Sequence, residues 1–112
     1  MNNGVKPVIQ KYYPDEELTC GEFNDFEVIP TQRFFDGAQA HILAPLGKGL
    51  DETNEFGRWR RPGARRDKEY MLDYVRRANA AQMPVTIDVY IDKHGKWDPE
   101  QYEVLKYIGD NL

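Results

Sequence analysis

Cysteine is nearly absent from this chain, where Cys20 stands alone. A single thiol excludes an internal disulfide, and without Cys-x-x-Cys or paired Cys/His spacing around it there is no zinc-type ligand set. Cys20 is therefore expected to be a small buried apolar residue, and neither a metal nor a cofactor is expected. Long apolar runs are also missing; none approaches the roughly 20 residues that cross a bilayer, so no membrane partner is expected. The opening Met1-Asn2-Asn3-Gly4-Val5-Lys6-Pro7 has no basic segment followed by an apolar one. No secretory signal is read there, and the cytoplasm is the expected compartment. Positive charge is not in excess either: the formal net charge is −4, which argues against a general nucleic-acid binder.

What is present points to a folded globular chain. The 112 residues are 40% hydrophobic and 30% charged, a balance typical of soluble domains, and the length suits one domain spanning 1–112. Charge is local. Acidic residues crowd Asp15-Glu16-Glu17 and return at Glu22, Asp25 and Glu27, whereas Arg58, Arg60, Arg61, Arg65 and Arg66 gather around Pro62-Gly63.

Residues 1–37 show no sustained period and are expected to be irregular, with at most short strands. Gln39-Ala40-His41-Ile42-Leu43-Ala44, closed by Pro45 and Gly47, predicts a buried strand. The Gly-, Asp-, Asn- and Arg-rich residues 47–63 predict a long loop. Asp67 caps a helix whose apolar positions Met71, Leu72, Val75 and Ala78 recur at helical spacing, with Arg76 and Arg77 at the end that favours positive charge. After Pro84, Val85, Ile87, Val89 and Ile91 alternate with Thr86, Asp88 and Tyr90, the period of a strand. Asp92-Lys93-His94-Gly95 turns the chain, and Asp98-Pro99-Glu100-Gln101 starts a last helix with the stripe Val104, Leu105, Ile108, Leu112. The order over 38–112 is strand, helix, strand, helix, which suits a parallel α/β structure.

Two stretches carry a resemblance to a known family. The first is Asp36-Gly37-Ala38-Gln39-Ala40-His41-Ile42-Leu43. The second runs through Tyr70 to Asn79, Pro84-Val85-Thr86-Ile87-Asp88-Val89, Asp92 to Gly95, Asp98-Pro99-Glu100-Gln101 and Leu105 to Gly109. In order and spacing they resemble the C-terminal portion of the catalytic barrel of α-L-fucosidase-like glycoside hydrolases, family 29 and its relatives; Leu18 to Asp25 is similar only loosely. The resemblance implies a partial (β/α) barrel with parallel strands and two C-terminal helices. A complete barrel takes about 250 residues, so roughly half would be absent. It also implies that the strand bearing the family's nucleophile is missing. Retaining glycosidases need two carboxylates about 5 Å apart, so the expectation is a fragment that is not catalytic alone, and no family role is carried over.

Candidate site residues each carry a plainer alternative. Asp88, late on its strand beside Tyr90, is a site carboxylate or a buried one satisfied by backbone or an arginine. Glu22 is an acid or sugar-hydroxyl acceptor, or a loop carboxylate. His41 enters a substrate pocket or is a satisfied core histidine. Trp59 and Trp97 stack on sugars, or Trp97 staples the cap beside it. The Arg58 to Arg66 loop binds anions or nucleic acid, or is solvated; it lacks a phosphate-cradling glycine loop. Parallel sheets are buried on both faces and open edges pair, so the chain is expected to form a homo-oligomer, most simply a two-fold dimer. Carbohydrate is the expected ligand class, either for a bare fragment or for a glycosidase assembled from Glu22 and Asp88 of associated copies.

Overall fold

The computed structural model describes residues 9, 11, 13–19, 26–48 and 59–112. The expectations for Cys20, Glu22, Asp25 and Arg58, and those for residues 49–58 of the long loop, lie outside the described residues. Among the described residues six elements run in order: β1 (Phe34–Phe35), β2 (Ala38–Gln39), β3 (Ile42–Pro45), α1 (Lys68–Ala80), β4 (Val85–Asp88) and α2 (Pro99–Asn111). This is a small mixed α/β fold whose short strands form two two-stranded sheets, β1–β2 and β3–β4. The chain divides into two compact units, Met1–Ala44 with Tyr74–Thr86 and Pro45–Asp73 with Ile87–Leu112.

The strand expected over 39–44 is divided. Its start folds back on β1 as an antiparallel hairpin, with Phe34 opposite Gln39 and Phe35 opposite Ala38. Asp36 and Gly37 make the two-residue turn at φ 51° and 86°. Positive φ at both positions is the type I′ turn that Asp-Gly favours. Gln39 then exchanges backbone hydrogen bonds with the segment before it, donating to Glu17 O at 2.8 Å and accepting from Thr19 N at 2.9 Å. Because those backbone groups are already engaged, the second sheet begins only at Ile42.

β3 and β4 are parallel. Ile42 N donates to Pro84 O and Leu46 N to Asp88 O; both partners advance by four residues together, which only a parallel register allows. The two strands thus form the β–α–β connection through α1 that the sequence led us to expect. Burial differs between them. Ile42, Ala44 and Pro45 of β3 are buried, whereas Val85, Ile87 and Asp88 of β4 are half-buried and Thr86 is exposed. β4 is also shorter than 84–91: it ends at Asp88, and Ile91 makes a single bridge to Trp97 that closes the next turn.

Both helices start where their caps dictate. Asp67 Oδ1 accepts from Tyr70 N at 2.7 Å, and the Asp98 side chain accepts from Gln101 N with Pro99 in the first turn. Trp97, just before the cap, meets Tyr102 edge-on with centroids 6.0 Å apart, the contact of a hydrophobic staple. α1 stops in a Schellman arrangement, with Met83 N on Ala78 O and Gln82 N on Asn79 O. The left-handed residue there is Gln82, at φ 63°, and not glycine.

The buried stripe of α1 includes Tyr74 as well as Met71, Leu72, Val75 and Ala78. Tyr74 is wholly enclosed, lies edge-on to Phe26 at 5.8 Å and donates its hydroxyl to Val28 O at 2.8 Å. Part of the segment expected to be irregular is therefore fixed to the helix through a polar group on an apolar ring. On α2 the buried residues are Gln101, Val104 and Ile108. Leu105 is half-buried and Leu112 exposed, so the stripe is one turn shorter than expected and carries a polar residue at its start.

Candidate functional site

The site is built where β4 ends and the backbone changes direction. An open cleft of about 430 Å³ is lined by Arg60, Asp88, Val89, Tyr90, Ile91, Asp92 and Lys93. Two of the expected site residues, Asp88 and Tyr90, thus meet at the carboxyl end of a strand in a parallel pair, the usual place for ligands in α/β sheets.

Asp88 is half-buried, and the loss of water around it raises its carboxyl pKa above the ordinary value, because burial disfavours the charged form. Among the described residues nothing donates a hydrogen bond to its carboxylate and no cation pairs with it. Among the described residues, neither a backbone group nor an arginine satisfies it. Asp92 differs: its Oδ1 accepts from His94 N at 2.8 Å and Lys96 N at 3.0 Å, holding the turn in which Gly95 takes φ 77°. In the cleft, Asp92 Oδ1 is engaged by the fold, while Asp88 has no partner among the described residues.

The walls are set by the start of α2. Gln101 is completely buried. Its Oε1 accepts from Tyr90 N at 2.7 Å, and its Nε2 donates to Arg61 O at 2.7 Å and Gly63 O at 2.8 Å. Asp98 adds to this: Oδ2 accepts from Gly63 N at 3.1 Å while its own N–H donates to Tyr90 O at 3.3 Å. At the third helical position Gln101 would close a capping box by bonding Asp98 N, but here the side chain turns away to the loop. Arg60, next to the tethered Arg61, is exposed and takes the left-handed φ of 61°.

The other expected residues fall elsewhere. His41 belongs to the other compact unit, with Nδ1 2.9 Å from Thr19 O and Nε2 2.7 Å from Thr86 Oγ1. A carbonyl only accepts, so Nδ1 carries the proton and both ring nitrogens are engaged; this is the satisfied histidine. Trp59 is exposed and does not line the cleft. In the arginine segment, the Arg66 guanidinium lies 4.4 Å from the Tyr70 ring centroid, so that cation is already stacked. Arg60 is in the loop read from the sequence as an anion- or nucleic-acid-binding candidate, whereas Asp92, Lys93 and Gln101 are not singled out there as site residues. The sequence signal for Gln101 is its place three residues after the Asp98 cap, a position that a capping role alone explains.

Comparison with protein-family models, curated proteins and solved structures finds no match. Among the described residues no group of three or more His, Cys, Asp or Glu is placed to hold a metal ion, and no helix is long and apolar enough to cross a membrane.

Proposed function

We propose that this chain is a glycosidase-barrel-like β–α–β–α module, akin to the C-terminal portion of an α-L-fucosidase-like enzyme, that binds a sugar-like polyol without hydrolysing it. The observation that carries the reading is the Asp88 carboxylate in the cleft at the end of β4, which has no partner among the described residues. A carboxylate only accepts hydrogen bonds, so a ligand presenting hydroxyl donors replaces the water that the site has partly excluded. Tyr90 and Ile91 supply apolar surface beside it. The absence of hydrolysis follows from Asp92: glycoside hydrolysis needs two carboxylates with separate tasks, and the second one lining this cleft holds a turn.

Self-association belongs to the same proposal. A parallel pair with half-exposed Val85 and Ile87 calls for cover, which a second copy supplies over a total interface above roughly 1,000 Å².

Titration of L-fucose and an aryl α-L-fucoside, followed by amide chemical shifts, tests the binding. The expected result is shifts at residues 88–93, weakened by Asp88→Asn, with fucoside hydrolysis no faster than in buffer and a dimer by light scattering. Turnover abolished by Asp88→Asn would show an enzyme instead, and unchanged shifts would remove the polyol reading.

A further inference from the structure

We infer that Gln101 is a positioning residue for the cleft, its carboxamide tying the wall that carries Arg60 to the wall that carries Tyr90. The inference rests on the cleft being a binding site, and it identifies what sets the width of that site. One face of the amide, Oε1, receives the Tyr90 N–H; the other, Nε2, donates to the carbonyls of Arg61 and Gly63. Arg61 and Tyr90 are the immediate neighbours of, or themselves, residues that line the opening. No other side-chain chemistry of that length does both jobs: a carboxylate accepts but does not donate, an ammonium donates but does not accept, and a thioether does neither usefully. The enclosure of Gln101 adds force, since a buried amide is retained only where its polar atoms are satisfied. A residue needed only to fill space on the α2 stripe beside Val104 and Ile108 would be replaceable by an apolar one of similar volume.

Two substitutions separate positioning from filling. Gln101→Met keeps the volume and removes all three bonds; Gln101→Glu keeps an acceptor for Tyr90 N–H and removes both donors. The readouts are amide hydrogen exchange at Tyr90, with Met71 of α1 as an internal reference, and tryptic cleavage of the exposed Arg60–Arg61 bond. For Gln101→Met we expect both exchange at Tyr90 and cleavage after Arg60 to rise by roughly tenfold or more, while Met71 changes little. For Gln101→Glu, cleavage rises similarly but Tyr90 stays protected. Unchanged Tyr90 exchange and cleavage in a folded Gln101→Met variant would overturn the inference. Equal acceleration at Met71, or failure of both variants to fold, would overturn it too, making Gln101 a residue of general stability. The polyol titration judges the cleft separately: a wild-type protein that binds no fucoside but shows the expected exchange pattern refutes the ligand and leaves the tether.

Discussion

Removing one oxygen from Tyr74 tests how firmly the early part of the chain is built into its unit. The ring is fully buried, and the hydroxyl donates to Val28 O at 2.8 Å. In Tyr74→Phe the ring stays but the bond is lost inside a site water does not reach, at a cost of about 1–2 kcal/mol. For a chain of this size that corresponds to a fall in Tm of roughly 4–8 °C. The edge-on contact with Phe26 at 5.8 Å and 72° should appear separately, as a coupling of about 0.5–1.5 kcal/mol in a double-mutant cycle of Tyr74→Leu and Phe26→Leu. Urea denaturation followed by far-ultraviolet circular dichroism measures all five proteins: the wild type, Tyr74→Phe and the three variants of the cycle. A Tyr74→Phe variant as stable as the wild type, with a coupling indistinguishable from zero, would refute the packing of Phe26 and Val28 against α1.

Asp88 yields a prediction whose sign depends on pH. Its folded-state pKa is raised by burial, so the folded chain binds its proton more readily than the unfolded chain does. The charged form is a penalty present above the raised value, relieved as pH falls through it, and gone below the ordinary carboxylate range. Asp88→Asn should therefore raise Tm near neutral pH and have no such effect at pH values where the wild-type carboxyl is protonated in both states; equal effects at both would contradict it. Gln82, which holds a left-handed φ of 63° at the end of α1, supplies another. Gln82→Gly should stabilise by about 0.5–1 kcal/mol, because the steric strain relieved exceeds the entropy that glycine adds to the unfolded chain. The Gln39 Nε2 donates to the backbone carbonyl of Gln82, a contact the substitution keeps, so a loss of stability would argue against the Schellman geometry.

By itself the sequence determined the parts whose signals are local. Asp67 and Asp98 located both helix starts, since a cap needs only a side-chain oxygen within three residues of a free N–H. The alternation after Pro84 located β4, and the place of Asp88 and Tyr90 late on that strand made them candidates for a site, which their lining of the cleft keeps together. The Asp36-Gly37 hairpin was equally local, but the short runs around it read as irregular. Tertiary structure decided whatever depended on a partner distant in sequence. His41 became a satisfied histidine because Thr19 and Thr86 meet its two nitrogens, and Tyr74 joined the core because Val28 accepts its hydroxyl. β4 stopped at Asp88 although its alternation continues, because a periodic pattern records which side chains share a face and not whether a neighbouring backbone is there to pair. Gln101 left its own helix cap for carbonyls about forty positions earlier in the chain, and no spacing rule within a single helix specifies an acceptor brought there by the fold.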